Sequence, residues 1–210
     1  MKFCFFDVET TGKIIDWGIT DPGEVDNFPR CIQVAWVVSD ELGNVLKTEC
    51  HLIYPQGWTI PKEPFWIEHG FSTERSIIEG KQMPLVLDYF FNDYNDCDIL
   101  AAHNLKFDYP VLGSEMIRYN KRGKPNPARQ KICTMVAGTD VCKIPFGKDH
   151  RPWKNKEWKF PKLSELYKKL FDKEMESAHN ALADVTATKE CFFKLVNLGV
   201  INIQKTMTEQ

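Results

Sequence analysis

The sequence has no long hydrophobic run near its start. Its first apolar segment, Phe3 to Phe6, has only four residues and is followed at once by carboxylates, so it is too short for a signal-peptide core or a membrane span. We therefore expect a cytosolic protein, or one of the host cytosol if a virus encodes it. The 210 residues, 43% hydrophobic and 27% charged, show no repeat or sign of disorder, which predicts a single domain over 1–200 with a short tail over 201–210.

The sequence also lacks paired cysteines and a strong overall charge. Its seven cysteines, an odd number with no C-x-x-C pair, argue for reduced thiols rather than a disulfide framework or a zinc site. The net charge of −2 by itself predicts no polyanionic partner. The charge is uneven, however, because residues 121–162 contain 12 Lys or Arg against three acidic residues, a local balance of +9. One region of the chain is therefore strongly basic.

The first predicted strand ends in two carboxylates. Phe3 to Phe6 is short, apolar and aromatic, which indicates a buried strand rather than a helix. Side chains two residues apart on a strand point to the same face, so Asp7 and Glu9 would project together beside the core. Two like charges there repel each other and lose hydration, and a divalent cation between them would offset both costs.

The Asp-x-Glu spacing alone does not identify a metal site. It is expected about once by chance in a chain of this composition. A second copy, Asp172 to Glu174, closes a lysine-rich helical segment, where solvated end charges explain it. The copy that begins at Asp7 differs in its strand context and in the polar turn that follows, Thr10 to Gly12, which can bring backbone N–H groups close to a ligand.

Hydrophobic periodicity predicts a strand-rich first part and then strands that alternate with helices. Residues 31–38 and 45–54 are predicted strands that form an antiparallel meander with the first strand, after a loop over 13–29. The later alternation of strand and helix predicts parallel pairing. The remaining predicted elements are a helical stretch over 65–95, a buried strand at 98–104, helices over 107–119, 163–171 and 181–198, and an irregular basic region over 120–161.

Two further acidic residues lie near predicted helix starts. Asp108 follows the fourth strand, and Asp184 lies in the first turn of the last helix among alanines small enough to admit another backbone or a ligand. Either carboxylate could instead complement the positive end of its helix dipole. Asn180 is the predicted N-cap of the last helix. His179 lies on the preceding loop, where it could point into a cleft or be an ordinary solvated side chain.

Three blocks of the sequence together resemble the DEDD exonucleases of the ribonuclease H-like fold. They are residues 5–12 (FFDVETTG), 103–108 (HNLKFD) and 179–188 (HNALADVTAT), in the family's order, and residues 68–72 (EHGFS) resemble the family's link after the third strand. A histidine five residues before Asp184 indicates the histidine branch, which includes the proofreading exonuclease subunit of bacterial replicative polymerase and stand-alone repair exonucleases. The resemblance implies an α/β fold whose five-stranded mixed sheet is flanked by helices.

The resemblance also implies a metal-dependent hydrolase. Two ions about 4 Å apart would activate the attacking water and offset the charge of the transition state. All-oxygen ligation selects Mg²⁺ or Mn²⁺ over zinc. Asp7 would bridge both ions, and Glu9 and Asp184 would complete the site of the attacking water. Asp108 would hold the second ion, and His179 would take the proton from the water as general base.

The implied activity is a 3′→5′ exonuclease that acts on single-stranded DNA and releases nucleoside 5′-monophosphates. In the family, the region of Thr10 and the backbone beside it, at Val8, hold the terminal 3′-hydroxyl. The turn that carries His103, Asn104 and Phe107 contacts the terminal nucleotide, although Phe107 could be an ordinary core residue.

The basic segment, residues 121–162, offers a second candidate contact with nucleic acid. Its aromatic residues Phe146, Trp153, Trp158 and Phe160 are interleaved with lysines and arginines, which suits base stacking and phosphate contact. A solvated loop with its aromatic rings turned inward would give the same pattern.

The sequence leaves two other functions open. An exoribonuclease on short RNA would use the same chemistry. A module that docks onto a DNA polymerase, with incidental catalysis, has no need of five clustered ionisable side chains. The short stretch after Leu198 also leaves little room for a polymerase-binding segment. We therefore expect a free-standing enzyme whose partner is single-stranded nucleic acid.

Overall fold

A computed structural model of the chain describes residues 1–121, 130–147, 157–175 and 180–203. The strands are β1 (Lys2–Thr10), β2 (Cys31–Asp40), β3 (Val45–Leu52), β4 (Ile99–Ala102) and β5 (Gln130–Cys133). The helices are α1 (Pro64–Glu68), α2 (Thr73–Glu79), α3 (Met83–Asn95), α4 (Leu105–Arg118), α5 (Thr134–Ala137), α6 (Thr139–Cys142), α7 (Leu163–Phe171) and α8 (Ala181–Asn197), with a 3₁₀ turn at Val25–Asn27.

The strands of the described residues form one mixed sheet in the order β3-β2-β1-β4-β5. β1 pairs antiparallel with β2, where Phe5 is opposite Val37, and parallel with β4, where Phe5 is beside Ala101. β2 and β3 are antiparallel, and β4 and β5 are parallel. The predicted meander, the later parallel pairing and the five-stranded α/β fold are confirmed. The apolar β1 is central because a central strand is covered by neighbours on both edges and by helices on both faces.

Helices cover both faces of the sheet and give the domain two main cores. Alternate residues of β1 point to opposite faces. Phe6 and Val8 pack with side chains of α3 and α4, while Phe3 and Phe5 pack with side chains of α7 and α8. In the second core, the ring centroids of Phe5 and Phe192 are 5.1 Å apart in an edge-to-face contact. α8 is thereby fixed against the middle of β1.

The region between β3 and β4 differs from the single helical stretch predicted for it. Residues 65–95 belong to three helices, because the chain turns at Gly70, where φ is 76°, and leaves the helical conformation again at Gly80. Ser72 starts α2 afresh by accepting a hydrogen bond from Arg75 N at 3.1 Å. Hydrophobic periodicity continues across these breaks, so the pattern alone does not show them.

Part of the predicted irregular basic region is regular. Gln130–Cys133 forms β5 beside β4, and the weak apolar stretch over 132–141 forms most of α5 and α6. The strand has four residues, of which Ile132 alone is buried, at 9% exposure. Such a short edge strand leaves almost no periodic signal in the sequence.

The packed chain continues past the predicted end of the domain. Ile201 is 6% exposed and lies in the second core, and Ile203 packs against the same core. The predicted tail therefore starts as packed chain, and residues 204–210 lie outside the described part. All seven cysteines are free thiols, as predicted. Among the described helices, none is long and apolar enough to cross a membrane.

Candidate metal centre

Asp7 and Glu9 lie in the last part of β1, which ends at Thr10, as the sequence predicted. Pairing with β2 continues to Thr10, and Glu9 is opposite Gln33. Both carboxylates continue the face on which Phe5 points toward α8. Charged residues are depleted in strands, so their place here needs support from the pairing. Backbone pairing with β2 extends the strand regardless of side-chain polarity.

The packing of α8 against β1 brings Asp184 to the same carboxylates. Asp184 precedes Phe192 by two helical turns, a rise of about 12 Å. Glu9 follows Phe5 by four strand residues, about 13 Å. Because Phe192 touches Phe5 and the two spans match, the helix start lies beside the strand end. One carboxylate oxygen each of Asp7, Glu9 and Asp184 lies within 4.8 Å of the others.

Asp108 reaches this group from the other edge of β1. β4 pairs with β1 only as far as Phe5 and ends at Ala102, so the edge of β1 is open beyond that point. Asp108, in the first turn of α4, accepts a hydrogen bond there from the backbone N–H of Val8. The residue is 3% exposed, and its Oδ2 has no hydrogen-bond partner among the described residues. A buried oxygen of this kind is available to an ion or an ordered water.

The carboxylates of the cluster suppress one another's ionisation. Burial raises the pKa of Asp7 well above its usual range, and the charges of Asp108, Asp184 and Glu9 raise it further. Burial and the charge of Asp184 raise the pKa of Glu9 to about 7. Burial also raises the pKa of Asp108 well above its usual range, against the opposing effect of the hydrogen bond from Val8. Such a cluster retains protons near neutral pH unless a cation replaces them.

The donor set fits a hard divalent cation. Asp7, Glu9 and Asp184 each offer a carboxylate oxygen to a common point. Oxygen ligands of this type suit Mg²⁺ and Mn²⁺. The unpartnered Oδ2 of Asp108 would gain a partner from a cation or from its hydration shell. The residues present therefore match the divalent metal that the resemblance implies.

Two polar side chains that the sequence analysis missed hold the strand and the helix of this cluster in place. Trp66 Nε1 donates to Thr10 O at 3.0 Å, and Gln33 Oε1 accepts from Ala181 N at 3.2 Å. The partners are 56 and 148 residues apart in the chain, so no local pattern reveals them. The first bond fixes the end of β1, and the second ties β2 to the start of α8.

Asn180 is the N-cap of α8, as predicted. Its side-chain oxygen accepts from Leu182 N at 3.1 Å and from Ala183 N at 3.4 Å. These bonds satisfy backbone donors that have no partner within the helix. The cap fixes where the first turn of α8 begins. It therefore also fixes the position along the helix axis from which the Asp184 side chain projects.

The turn between β4 and α4 has an unusual backbone and a buried histidine. Asn104 has φ 70° and ψ 48°, a left-handed conformation that asparagine tolerates better than most residues. His103 Nε2 is 3.1 Å from Pro161 O, which can only accept, so Nε2 carries the proton. Nδ1 then accepts from Thr134 Oγ1 at 3.0 Å. Burial lowers the pKa of His103 to about 4, so the ring is neutral.

The residues predicted to bind substrate lie around these carboxylates. Because both ring nitrogens of His103 already have protein partners, a contact with a nucleotide would use the face or edge carbons of the ring. Phe107 packs partly buried against the first core and directly precedes Asp108 in α4. The binding roles themselves stay predictions for all five, namely Val8, Thr10, His103, Asn104 and Phe107.

Two predicted parts of the site lie outside the described residues. His179, the predicted general base, belongs to residues 176–179, so its role and the histidine branch stay predictions. Most cations of the basic segment, together with Trp153, belong to residues 122–129 and 148–156. Their predicted contact with nucleic acid stays a prediction as well.

Some of the basic residues that the structure does describe in that segment have side-chain partners within the protein. Lys159 Nζ lies 2.8 Å from Glu165 Oε1, and Lys131 Nζ lies 3.9 Å from the ring centroid of Tyr109. Glu165 also accepts from the backbone N–H of Lys162 at 2.7 Å, which caps the start of α7. These lysines therefore contribute to the packing of the segment.

The fold is shared with solved structures of exonuclease I. E. coli exonuclease I in complex with a dT13 oligonucleotide matches with a TM-score of 0.65 and 21% identity, over 93% of this chain and 41% of that one. The zinc-ion-bound form of the E. coli exonuclease I–ssDNA complex matches at 0.66 and 20%, over 94% and 40%. Exonuclease I from Methylocaldum szegediense matches at 0.66 and 18%, over 94% and 40%.

The comparison establishes the fold of the chain. No protein-family model and no curated protein sequence matches it. The chain spans about two fifths of the length of the exonuclease I chains that it matches. The exonuclease fold implied by the resemblance is confirmed, and the structures named are of exonuclease I. The histidine branch, with its proofreading subunit and stand-alone repair exonucleases, stays a prediction.

Proposed function

We propose that the protein is a divalent-metal-dependent 3′→5′ exonuclease that acts on single-stranded DNA and releases nucleoside 5′-monophosphates. The observation that carries the proposal is the convergence of Asp7, Glu9 and Asp184 within 4.8 Å on a fold shared with exonuclease I. A partly buried group of like charges is costly unless a cation neutralises it, and hydrolysis of a phosphodiester is a use for that cation. The oligonucleotides bound to exonuclease I support single-stranded DNA as the substrate.

In this proposal the chain supplies the ligand oxygens and the proton acceptor. Asp7 would hold two Mg²⁺ or Mn²⁺ ions in common, with Glu9 and Asp184 completing the first site. Asp108, through its unpartnered Oδ2, would complete the second. When bound, the ions supply an activated water and offset charge on the phosphoryl and leaving oxygens. His179, one residue before the N-cap of α8, would accept the proton.

The backbone around the end of β1 would set the direction of attack. The open edge of β1 beyond Phe5 lies beside Asp108, and Thr10 follows directly after Glu9. We assign the 3′-hydroxyl of the last nucleotide to the backbone of Val8 and to Thr10. A strand whose 3′-hydroxyl is phosphorylated should then bind poorly.

Hydrolysis of matched oligonucleotides tests the proposal. The substrates are single-stranded DNA and RNA of the same sequence, each labelled at the 5′ end. With Mg²⁺, the DNA should give a ladder of progressively shorter products, and EDTA should abolish this degradation. A 3′-phosphate on the DNA should delay its degradation. Asp7→Asn removes one ligand charge with little change of shape, and the rate should fall at least about 10³-fold.

A matched control separates the cluster from acidic residues in general. Asp172 begins the second Asp-x-Glu copy and has a left-handed φ of 54°, which asparagine also adopts, so Asp172→Asn should leave the rate unchanged. An unchanged rate for Asp7→Asn would refute the metal role. Equal or faster loss of RNA would favour the exoribonuclease, and internal fragments would contradict attack from the 3′ end.

A further inference from the structure

The loop after β1 exposes a ridge of apolar side chains. Ile15 is 79% exposed, Trp17 52% and Ile19 38%. Residues 15–21 are all exposed, although burying a tryptophan is among the largest hydrophobic gains available to a chain. Elsewhere in the same loop, Ile14 and Phe28 are buried.

A buried amide holds this loop in its outward conformation. Asn27 is 7% exposed, and its Oδ1 accepts from Asp16 N at 2.8 Å. Its Nδ2 donates to Asp16 O at 3.0 Å and to Ile19 O at 3.3 Å. Three hydrogen bonds from one side chain thus bracket Trp17 on both sides. Asn27 therefore fixes the backbone that places the indole at the surface.

Trp17 contacts the helix turn that carries Asp108. Its ring centroid is 6.2 Å from that of Phe107, and the two planes are inclined by 35°. Phe107 packs against the first core with its remaining surface and is followed in α4 by Asp108. The exposed indole therefore contacts the ring of Phe107, which lies in the same helix turn as Asp108, a carboxylate of the cluster.

The charge around Trp17 excludes phosphate attraction as the reason for its exposure. Residues 13–29 contain Asp16, Asp21, Glu24 and Asp26 against the single Lys13. A nucleic-acid phosphate would be repelled here, whereas an aromatic face attracts a neutral base by stacking. Each base has such a face, so stacking on a tryptophan tolerates any sequence.

We propose that Trp17, supported by Phe107, is a stacking platform for one base near the 3′ end of a single-stranded nucleic acid. The assignment rests on the proposed function, because it is the neighbouring carboxylate cluster that makes a nucleic acid the expected occupant. It adds to that function a residue outside all three sequence blocks, on a loop whose pattern indicated no role. The proposal also distinguishes two contributions to nucleic-acid binding. One is stacking of an uncharged base at this loop, and the other is contact with phosphates elsewhere on the protein.

Equilibrium binding tests the platform independently of catalysis. Fluorescence anisotropy of 5′-fluorescein oligo-dT in EDTA, where hydrolysis is expected to stop, should show affinity lowered about tenfold by Trp17→Ala and less than about threefold by Trp17→Phe. Leu42→Ala removes a side chain that is 81% exposed at the β2–β3 turn, and its affinity should equal that of the wild type. The slope of log affinity against log salt should be the same for wild type and Trp17→Ala, because no phosphate contact is removed.

A scan with single abasic sites identifies the stacked base. Oligonucleotides that lack one base at each of the last four 3′ positions should reveal one position at which wild type and Trp17→Ala bind within about twofold of each other. A merely structural role for Trp17 would weaken binding to every oligonucleotide alike, and that result would overturn the platform. A changed salt slope, or equal affinity of Trp17→Ala and Leu42→Ala, would overturn it as well.

The outcome is distinguishable from failure of the proposed function. If the wild type degrades DNA but Trp17→Ala binds and degrades it equally well, the platform is wrong and the nuclease stands. If the wild type degrades no nucleic acid but the abasic scan still shows one position coupled to Trp17, the platform stands as a binding site and the nuclease is wrong.

Discussion

Buried carboxylates occur in two regions of this molecule, and the chain treats them in opposite ways. Glu115 on α4 is 1% exposed and accepts from Arg30 Nε at 2.9 Å, from Arg118 Nη1 at 3.0 Å and from Cys31 N at 3.1 Å. Asp108, seven residues earlier on the same helix, is 3% exposed and keeps an oxygen without a partner among the described residues.

The difference shows which region is structural and which is arranged for a ligand. The bonds of Glu115 join α4 to the start of β2, and Arg118 extends them by donating to Phe28 O at 2.7 Å. At the other region, the neighbouring charges that shift the pKa of Asp7 are all carboxylates. The fold compensates Glu115 with two arginines, and the proposed function assigns the corresponding role at the candidate metal centre to a cation from solution.

The largest effect is expected when one carboxylate is removed from each region, which tests directly whether the two regions differ. Glu115→Gln should lower the free energy of unfolding by about 3–5 kcal/mol, because it leaves two partly buried guanidinium groups without their counter-charge. Asp108→Asn should instead raise that free energy by about 1–2 kcal/mol at pH 8 in EDTA, since it removes a charge that burial disfavours. Urea denaturation of both variants measures the two effects. Destabilisation of similar size in both would show that the regions do not differ.

The pH dependence of the free energy of unfolding gives a second, smaller effect that distinguishes the carboxylate cluster from Glu115. Burial raises the pKa of Glu9 to about 7, and those of Asp7 and Asp108 also rise, so the folded state retains protons that the unfolded chain has released. The stability gained from the Glu9 proton is fully present below the unfolded pKa of Glu9 and is lost as the pH rises through about 7.

Without metal, the free energy of unfolding should therefore fall by about 2–3 kcal/mol between pH 5 and 8. Adding Mg²⁺ should restore more of it at pH 8 than at pH 5, because the ion competes with protons for the carboxylates. Denaturation curves in EDTA and in Mg²⁺ at both pH values measure this. The loss should be smaller in Asp108→Asn, and an equal effect of Mg²⁺ at both pH values would contradict the assignment.

The smallest expected effect comes from moving a carboxylate without changing its charge. Asn180→Ala removes the cap that fixes the first turn of α8, and Ser72→Ala removes the cap of α2. Each should lower the free energy of unfolding by about 1 kcal/mol. Only Asn180→Ala should also weaken Mn²⁺ binding, because Asp184 lies in the turn that loosens. Calorimetric titration with Mn²⁺ measures this, and equal Mn²⁺ affinity in both variants would show that the cap does not position Asp184.

The sequence by itself determined the elements and the chemistry of the centre. The apolar β1, the amphipathic α8 and its cap at Asn180 follow from local patterns that a short window contains. The resemblance of three blocks named Asp7, Glu9, Asp108 and Asp184 as one set. None of this needed a distance between residues that are far apart in the chain.

The tertiary structure alone decided how these carboxylates meet and which buried carboxylate is compensated. The distance from Asp184 to Asp7 depends on the height at which α8 packs against β1, and that height is set by contacts such as Phe5 with Phe192. The bond from Val8 to Asp108 exists because β4 stops short of it. The partners of Glu115 likewise had no local signal, whereas the break of residues 65–95 into three helices follows local residues, Gly70, Ser72 and Gly80, that hydrophobic periodicity does not register. Long-range packing selects one register among many that the same local patterns allow, and only that register fixes where charges converge.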